Sequence, residues 1–381
     1  MVLNNVRLID SIDAVNVQIS GNKITSVSAA PMPGQLQLTF HNALIFPGLI
    51  NSHDHLDFNL FPQLGGKIYN NYTEWGGYIH ENYKDEISSI LKIPLLLREQ
   101  WGVLKNLLCG VTTVVNHGEK VKLPNKLINV YEQYYCLHSV QFEKKWKIKL
   151  NNPLKRKYPV VIHVGEGTDW AAHHEIDQLV RWNWLKKKLV GIHGVAMSAR
   201  QAKKFKSMVW CPQSNYFLLD KTADIQLLKD HITILFGTDS TLTSNWNIWD
   251  HIATARKTAL LTDTELYNSL HVNAANTWKI NSSEIKKNED ADIVVAKLKD
   301  KEGGMPAFFA VEPSDILLVL HQGNIRLFDA EILDQLKEID LYGFSKININ
   351  GVYKYVQGNI PELIAGIKQY YPEAQFPITV N

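Results

Sequence analysis

The sequence predicts an α/β fold: a (β/α)8 TIM-like barrel, irregular between its strands 2 and 5, with a small β-sandwich domain built from both termini. Three observations lead there. From about residue 48 to 280, apolar strand-like runs alternate with helical stretches, the pattern of parallel α/β architecture. Several of those runs stop on His or Asp, as expected of strands that deliver side chains to one end of a barrel. Short β-type segments occupy residues 1–47 and return after about 288. The expected division is therefore 1–47 and 288–381 as two parts of the sandwich, with the barrel, 48–287, inserted between them.

The opening residues alternate in part, with strands over 2–9 and 14–19, a turn at Gly21-Asn22-Lys23 and a further strand at Ile24-Thr25-Ser26-Val27. Ala43-Leu44-Ile45-Phe46 leads through Pro47-Gly48 into the first barrel strand. Residues 69–83, rich in Tyr, Asn, Trp and Gly, read as a long rim loop that could line a pocket or act as a lid. Residues 87–108 have helical apolar spacing and end at Gly110, a C-terminal glycine. Val111-Thr112-Thr113-Val114-Val115 is the second strand. About 45 residues then separate His117 from His163, where a regular barrel needs two βα units and one βαβ unit takes ~30 residues. Residues 133–142 supply one strand, and the unit around 143–158 is compressed. After 288, strands are expected at 292–296 and 316–320, hairpin turns at Gln322-Gly323-Asn324 and Asn350-Gly351, and a terminal helix over 360–370.

The chain has 381 residues, is 45% hydrophobic and 20% charged, and carries a net charge of +2, so a buried core is expected and nucleic acid is not a favoured partner. Its three cysteines, Cys109, Cys136 and Cys211, are far apart, which argues against a disulfide framework or a Cys-based zinc site. No signal peptide and no membrane-length apolar run is visible. The expectation is a soluble, cytoplasmic protein with a small-molecule substrate and neither nucleic acid nor membrane as a partner.

Chemistry concentrates at the strand ends. In Ile50-Asn51-Ser52-His53-Asp54-His55, His53 and His55 fall at i and i+2 and share one side of the strand, with Asp54 turned away. His163, His193 and Asp239 end later runs, and His117 ends a weaker one. Neutral imidazoles with a carboxylate suit Zn²⁺, with Fe²⁺ as the alternative. One divalent metal and hydrolytic chemistry are implied.

Longer motifs surround these residues. Pro47-Gly48-Leu49-Ile50-Asn51-Ser52-His53-Asp54-His55, Gly110-Val111-Thr112-Thr113-Val114-Val115, His163-Val164-Gly165-Glu166, Cys211-Pro212-Gln213-Ser214-Asn215, Gly237-Thr238-Asp239-Ser240 and Asp290-Ala291-Asp292-Ile293-Val294-Val295 together resemble the amidohydrolase superfamily. Within it, they resemble the mononuclear-metal deaminase and chlorohydrolase branch, like cytosine deaminase and S-adenosylhomocysteine deaminase. The resemblance implies that His53, His55, His163 and Asp239 bind one metal. It implies that His193 orients the attacking water or polarises the substrate, and that Glu166 shuttles a proton. Glu166, His193 and Asp239 are then the expected catalytic residues, acting with a metal-bound hydroxide on a C–N centre. No lysine suggests the carbamylated two-metal form. Homo-oligomerisation follows from the resemblance alone.

His117, Trp75, Trp170 and His173 are expected substrate contacts, with Tyr78 and Trp246 as further aromatics able to stack on a planar ring. Asn245-Trp246-Asn247-Ile248-Trp249-Asp250 departs from nucleoside-deaminating relatives, so their substrate does not carry over. An aminohydrolase of a small nitrogenous ring or amidine is the leading expectation. The alternatives are an amidase, lactamase or dehalogenating hydrolase on the same metal site, and an inactive metal-binding scaffold.

Overall fold

In the computed structural model, which describes residues 1–123, 126–299 and 303–380, the alternating N-terminal segment forms β1 (Val2–Leu8), β2 (Ala14–Ser20), β3 (Lys23–Ser28) and β4 (Gln37–Pro47). Eight parallel strands follow: β5 (Leu49–Asp54), β6 (Val111–Asn116), β7 (Asn129–Tyr131), β8 (Tyr135–Ser139), β9 (Val160–Val164), β10 (Leu189–His193), β11 (Ser207–Trp210) and β12 (Thr233–Phe236). The chain then returns to β13 (Ile293–Lys297), β14 (Ile316–His321), β15 (Asn324–Asp329), β16 (Phe344–Ile349), β17 (Val352–Gln357) and β18 (Thr379–Val380).

The first four and last six strands join in one ten-stranded sheet, ordered β18-β16-β17-β15-β14-β13-β4-β1-β2-β3. All of its pairings are antiparallel except that of β1 with β4. The two termini therefore meet across β4 and β13, where Phe46 pairs with Val294. Both expected hairpin turns form. Gln322-Gly323 and Asn350-Gly351 all have positive φ, the conformation a tight two-residue hairpin turn with the right twist requires.

The eight parallel strands lie in two sheets, β5-β6-β7 and β12-β11-β10-β9-β8. Their apolar faces meet in one cluster that joins Ile50 and Val115 of the first to Val161, Val190, Val209 and Leu235 of the second. The sheets also touch directly. The Thr238 and Asp239 amides donate to the His53 carbonyl at 3.0 and 3.1 Å. Gly237 permits this approach, because a Cβ there would stand 2.8 Å from the His53 Cβ.

The region between β5 and β6 is more helical than its composition suggests. Residues 69–83, read as a loop, contain α1 (Tyr72–Asn82), started by Asn71, whose side chain accepts from the Thr73 and Glu74 amides. The cap overrides the weak helix propensity of Gly76-Gly77. The stretch 87–108 is split into α2 (Lys84–Leu91) and α3 (Leu95–Leu108). Pro94 disfavours helical geometry in the residue before it, so it serves as the N-cap of the second helix. Gly110, at φ 80°, ends α3. Between β8 and β9 only a short helix, Trp146–Leu150, and a 3-10 turn, Pro153–Lys155, are present. The C-terminal helix Ile360–Tyr370 packs on α3, with Leu97 against Gly366, and the following segment sets the Phe376 ring edge-on to Trp101. Among the described residues no helix is long and apolar enough to cross a membrane.

Candidate active site

Strand periodicity places the first pair of imidazoles. His53 near the end of β5 and His55 just after it face its inner side, and Asp54 points outward, where it is fully buried. There Asp54 meets Lys105 of α3 at 3.0 Å. It also accepts from Asn106 and Asn59, each at 2.8 Å. Lys105 donates to the Asn59 side-chain oxygen as well, at 2.9 Å. This buried polar plug fixes the backbone from which both imidazoles project.

Across the cluster, the Nε2 atom of His163 lies 3.3 Å from Nε2 of His53 and 3.3 Å from Nε2 of His55. Asp239 Oδ1 lies 3.6 Å from the Nε2 atoms of both His53 and His55. Ligands 2.0–2.1 Å from a tetrahedral zinc are separated from one another by about 3.3 Å, so the donor set has the spacing of a metal site. Its protonation state fits too. Burial and the neighbouring His53 push His55 down to about 4. Burial and the surrounding imidazoles hold His163 well below the usual histidine range. Burial opposes ionisation of Asp239, but His53, His55 and His193 outweigh it and hold the carboxyl well below its ordinary value. The shifts favour the neutral imidazoles of His55 and His163 and the ionised carboxylate of Asp239, the forms a metal ion binds.

The surrounding hydrogen bonds orient these groups. His163 Nδ1 sits 2.9 Å from the His138 carbonyl, an acceptor, so this nitrogen carries the proton and Nε2 is free to ligate. Asp239 Oδ2 accepts from Ser214 at 2.8 Å and Thr243 at 3.1 Å, and Oδ1 accepts from the Ser240 amide. Both Asp239 and His193 hold left-handed backbone, at φ 58° and 70°, conformations that non-glycine residues keep only where their surroundings enforce them.

His193 could complete a second donor group with His53 and Asp239, but its tautomer argues for another role. Thr222 donates to the Asn215 side-chain oxygen, which turns the Asn215 amide nitrogen toward His193 Nδ1 at 2.9 Å. Nδ1 then accepts, and Nε2 carries the proton. That N–H points at Glu166 Oε1, 3.5 Å away, and Asp239 Oδ2, 4.0 Å away. Burial, together with Asp239 and Glu175, holds the Glu166 carboxyl well above the carboxylate range. The site therefore pushes two neighbouring carboxyls in opposite directions, Asp239 toward the ionised form and Glu166 toward the protonated form, an arrangement suited to moving a proton from one to the other.

Glu175 backs this arrangement. It accepts from the Gly165 amide at 2.7 Å and the Tyr72 hydroxyl at 3.1 Å, and burial raises it to about 7. His117 is buried on the His163 ring, 4.1 Å between centroids, with neither ring nitrogen hydrogen-bonded. Of the aromatics, Trp75 lines the cavity over the cluster and anchors its Nε1 on the Leu64 carbonyl. Tyr78 packs on Tyr69 and Tyr83. Trp170 is 73% exposed and stacked on His174. His173 is tied to the Ala196 carbonyl at 2.9 Å. Trp170 and His173 lie outside the cavity because the helix Trp170–Trp182 turns them away from the strand ends. Trp246 lines a separate cavity of about 850 Å³ beside the C-terminal segment that contains none of the imidazole cluster. Lys105, His138, Glu175, Ser214 and Asn215 were not singled out from the sequence. Only the Cys-Pro-x-Ser-Asn motif carried a signal for the last two.

No protein-family model matches the chain, and no curated protein matches it. Solved structures do. An adenosine deaminase from Xanthomonas campestris with bound zinc is 14% identical and aligns over 98% of both chains with a TM-score of 0.72. A mutant atrazine chlorohydrolase from Arthrobacter aurescens complexed with zinc and atraton is 13% identical, over 97% of this chain and 99% of that one, with a TM-score of 0.70. Aminofutalosine deaminase from Helicobacter pylori is 14% identical, over 85% of this chain and 99% of that one, with a TM-score of 0.59. At such identities the likeness establishes a shared fold.

Proposed function

We propose that this chain is a metal-dependent hydrolase of the amidohydrolase type, acting as an aminohydrolase on a small nitrogenous ring or amidine. The observation that carries this reading is the convergence of the His53 and His55 Nε2 atoms on that of His163, each at 3.3 Å, with a carboxylate oxygen 3.6 Å from the first two, beside Glu166, whose carboxyl is pushed by burial well above its ordinary range. In this reading the two parallel sheets form one barrel over 48–287, and the ten-stranded sheet, from 1–47 and 288–381, folds over its own apolar face as the sandwich. The direct contact of β12 with β5 and the shared apolar interior support the closure.

His53, His55, His163 and Asp239 would hold one divalent ion, zinc or alternatively iron. Bound there, the ion would supply Lewis acidity and a water that ionises near neutral pH. The chain's own groups do the rest. Asp239 Oδ2, fixed by Ser214 and Thr243, accepts the proton released from the attacking water. Glu166, positioned next to it, donates a proton to the ring nitrogen or the departing amine. The His193 Nε2–H donates a hydrogen bond to the charge that develops at the attacked carbon's substituents.

The same groups would serve an amide or a halogenated ring, and a chlorohydrolase among the structural neighbours keeps that reading open. The test is elemental analysis of the purified protein and of a His53→Ala/His55→Ala double variant, followed by screening aminated and chlorinated heterocycles for ammonia and chloride. One equivalent of zinc or iron, lost in the variant, with ammonia release abolished by Glu166→Gln but metal retained, is the expected result. Chloride in place of ammonia would select the dehalogenating alternative. Failure to take up metal would overturn the hydrolase and leave a scaffold.

A further inference from the structure

The cavity over the imidazole cluster is about 540 Å³, the size of a site for a whole small molecule. One end is polar: His55, His163, Glu166, His193 and Asp239. The rest is apolar. Trp75 and Ile79 of α1, Ile87 and Leu91 of α2, Phe58 after β5 and Phe142 after β8 form its walls. Among the described residues no lysine or arginine lines it. A phosphate or carboxylate on the far part of a substrate would have to leave water with no lysine or arginine to receive it, and only the exposed imidazole of His80 on α1 within reach.

The helix that roofs the cavity is built to leave room. Gly76 and Gly77 sit in the middle of α1, where glycine is the poorest helix former after proline, and both line the cavity. A Cβ on Gly76 would stand 3.3 Å from the Phe142 ring, and one on Gly77 would meet nothing within 4 Å. At the mouth, Leu91 presents an apolar side chain that is 47% exposed.

Resting on the hydrolase reading for the polar end, we propose that the substrate is an uncharged aminated ring carrying an apolar arm, and that the arm lies against α1, α2 and Phe142. Recognition of the arm is hydrophobic, so affinity rises roughly fourfold for each methylene buried.

The test compares three probes by calorimetry on zinc-supplied Glu166→Gln protein, so that turnover does not interfere: 9-methyladenine, 9-butyladenine and 9-(3-carboxypropyl)adenine. We expect the butyl probe to bind at least tenfold tighter than the methyl probe and at least tenfold tighter than the carboxylate. Leu91→Arg, a change at an exposed position that the fold tolerates, should narrow the gap between butyl and carboxylate by threefold or more. Equal binding of butyl and methyl, a preference for the carboxylate, or no binding of any probe overturns the inference. The two readings fail separately. Butyl preference without ammonia release by the wild-type protein from any amino ring sinks the aminohydrolase and spares the apolar arm. Ammonia release with no gain from the butyl group does the reverse.

Discussion

Replacing Lys105 by methionine tests whether the plug behind β5 holds the metal site in register. The Lys105 ammonium stands 3.0 Å from Asp54 Oδ2, with the two side chains 2% and 0% exposed. At that separation and an effective dielectric of about 20, the Coulomb attraction is about 5 kcal/mol. Methionine fills much of the same volume but leaves Asp54 with neutral donors only, and leaves the Asn59 side-chain oxygen without this donor. Removing one partner of a buried pair costs about 3–5 kcal/mol, in line with the Coulomb figure and a large share of the ~5–15 kcal/mol that holds a domain together. The assay is urea denaturation of metal-free Lys105→Met, Asp54→Asn and the double variant. We expect each single change to destabilise by about 3 kcal/mol or more, and the cycle to show a coupling of at least about 2 kcal/mol. Zinc affinity, measured by competition with a chelator, should fall by about 10- to 100-fold in Lys105→Met, as for other groups that support a ligand from behind. A loss below about 1 kcal/mol, or additive single changes, would refute the argument, because the pair would then contribute no more than a solvent-exposed one.

Two further changes probe the groups around Glu166. Asn215→Ala removes the donor that sets the His193 tautomer, so kcat should drop by about 10- to 100-fold with metal content unchanged; a kcat within twofold of wild type would count against the assignment of the Nε2 proton. Glu175→Gln acts on stability. Burial raises the folded pKa of Glu175 to about 7 from an ordinary 4.5, so the folded state keeps a proton that the unfolded chain has lost between those values. The stabilisation this represents is complete below about pH 4.5 and is lost as pH rises through about 7, by on the order of 3 kcal/mol for a group this buried. The glutamine variant should therefore show a shallower fall in denaturation midpoint between pH 5 and pH 8 than the wild type, and an unchanged slope would show that Glu175 does not carry it.

Much of the site was legible because β geometry is periodic. An i, i+2 pair at the end of a strand must share a face, so His53-x-His55 could be read as convergent from spacing alone, and His163, His193 and Asp239 were marked by the apolar runs they end. The terminal hairpins were legible for a local reason as well: Asn350-Gly351 tolerates the positive φ values a tight turn needs. Where local signals conflicted, the reading went astray. Gly76-Gly77 looked like loop, yet the Asn71 cap and the contacts of α1 over the cavity make it helix. Trp170 and His173 follow Glu166 closely in sequence, but a helix rotates its residues by about 100° each, and its register turned both away from the strand ends.

The sequence by itself determined the order of elements and the chemical identity of the imidazole and carboxylate set, because both depend on residue type and on spacing within a few positions. Tertiary structure decided everything that depends on partners far apart in the chain. The Asn215 contact that assigns the His193 proton spans 22 residues, the Ser214 bond that fixes Asp239 spans 25, and the Asn106 bond that anchors Asp54 spans 52. Burial, which raises Glu166 and lowers His55, His163 and His193, is likewise a property of the packed molecule: an isolated strand leaves each of these groups in water at its ordinary pKa.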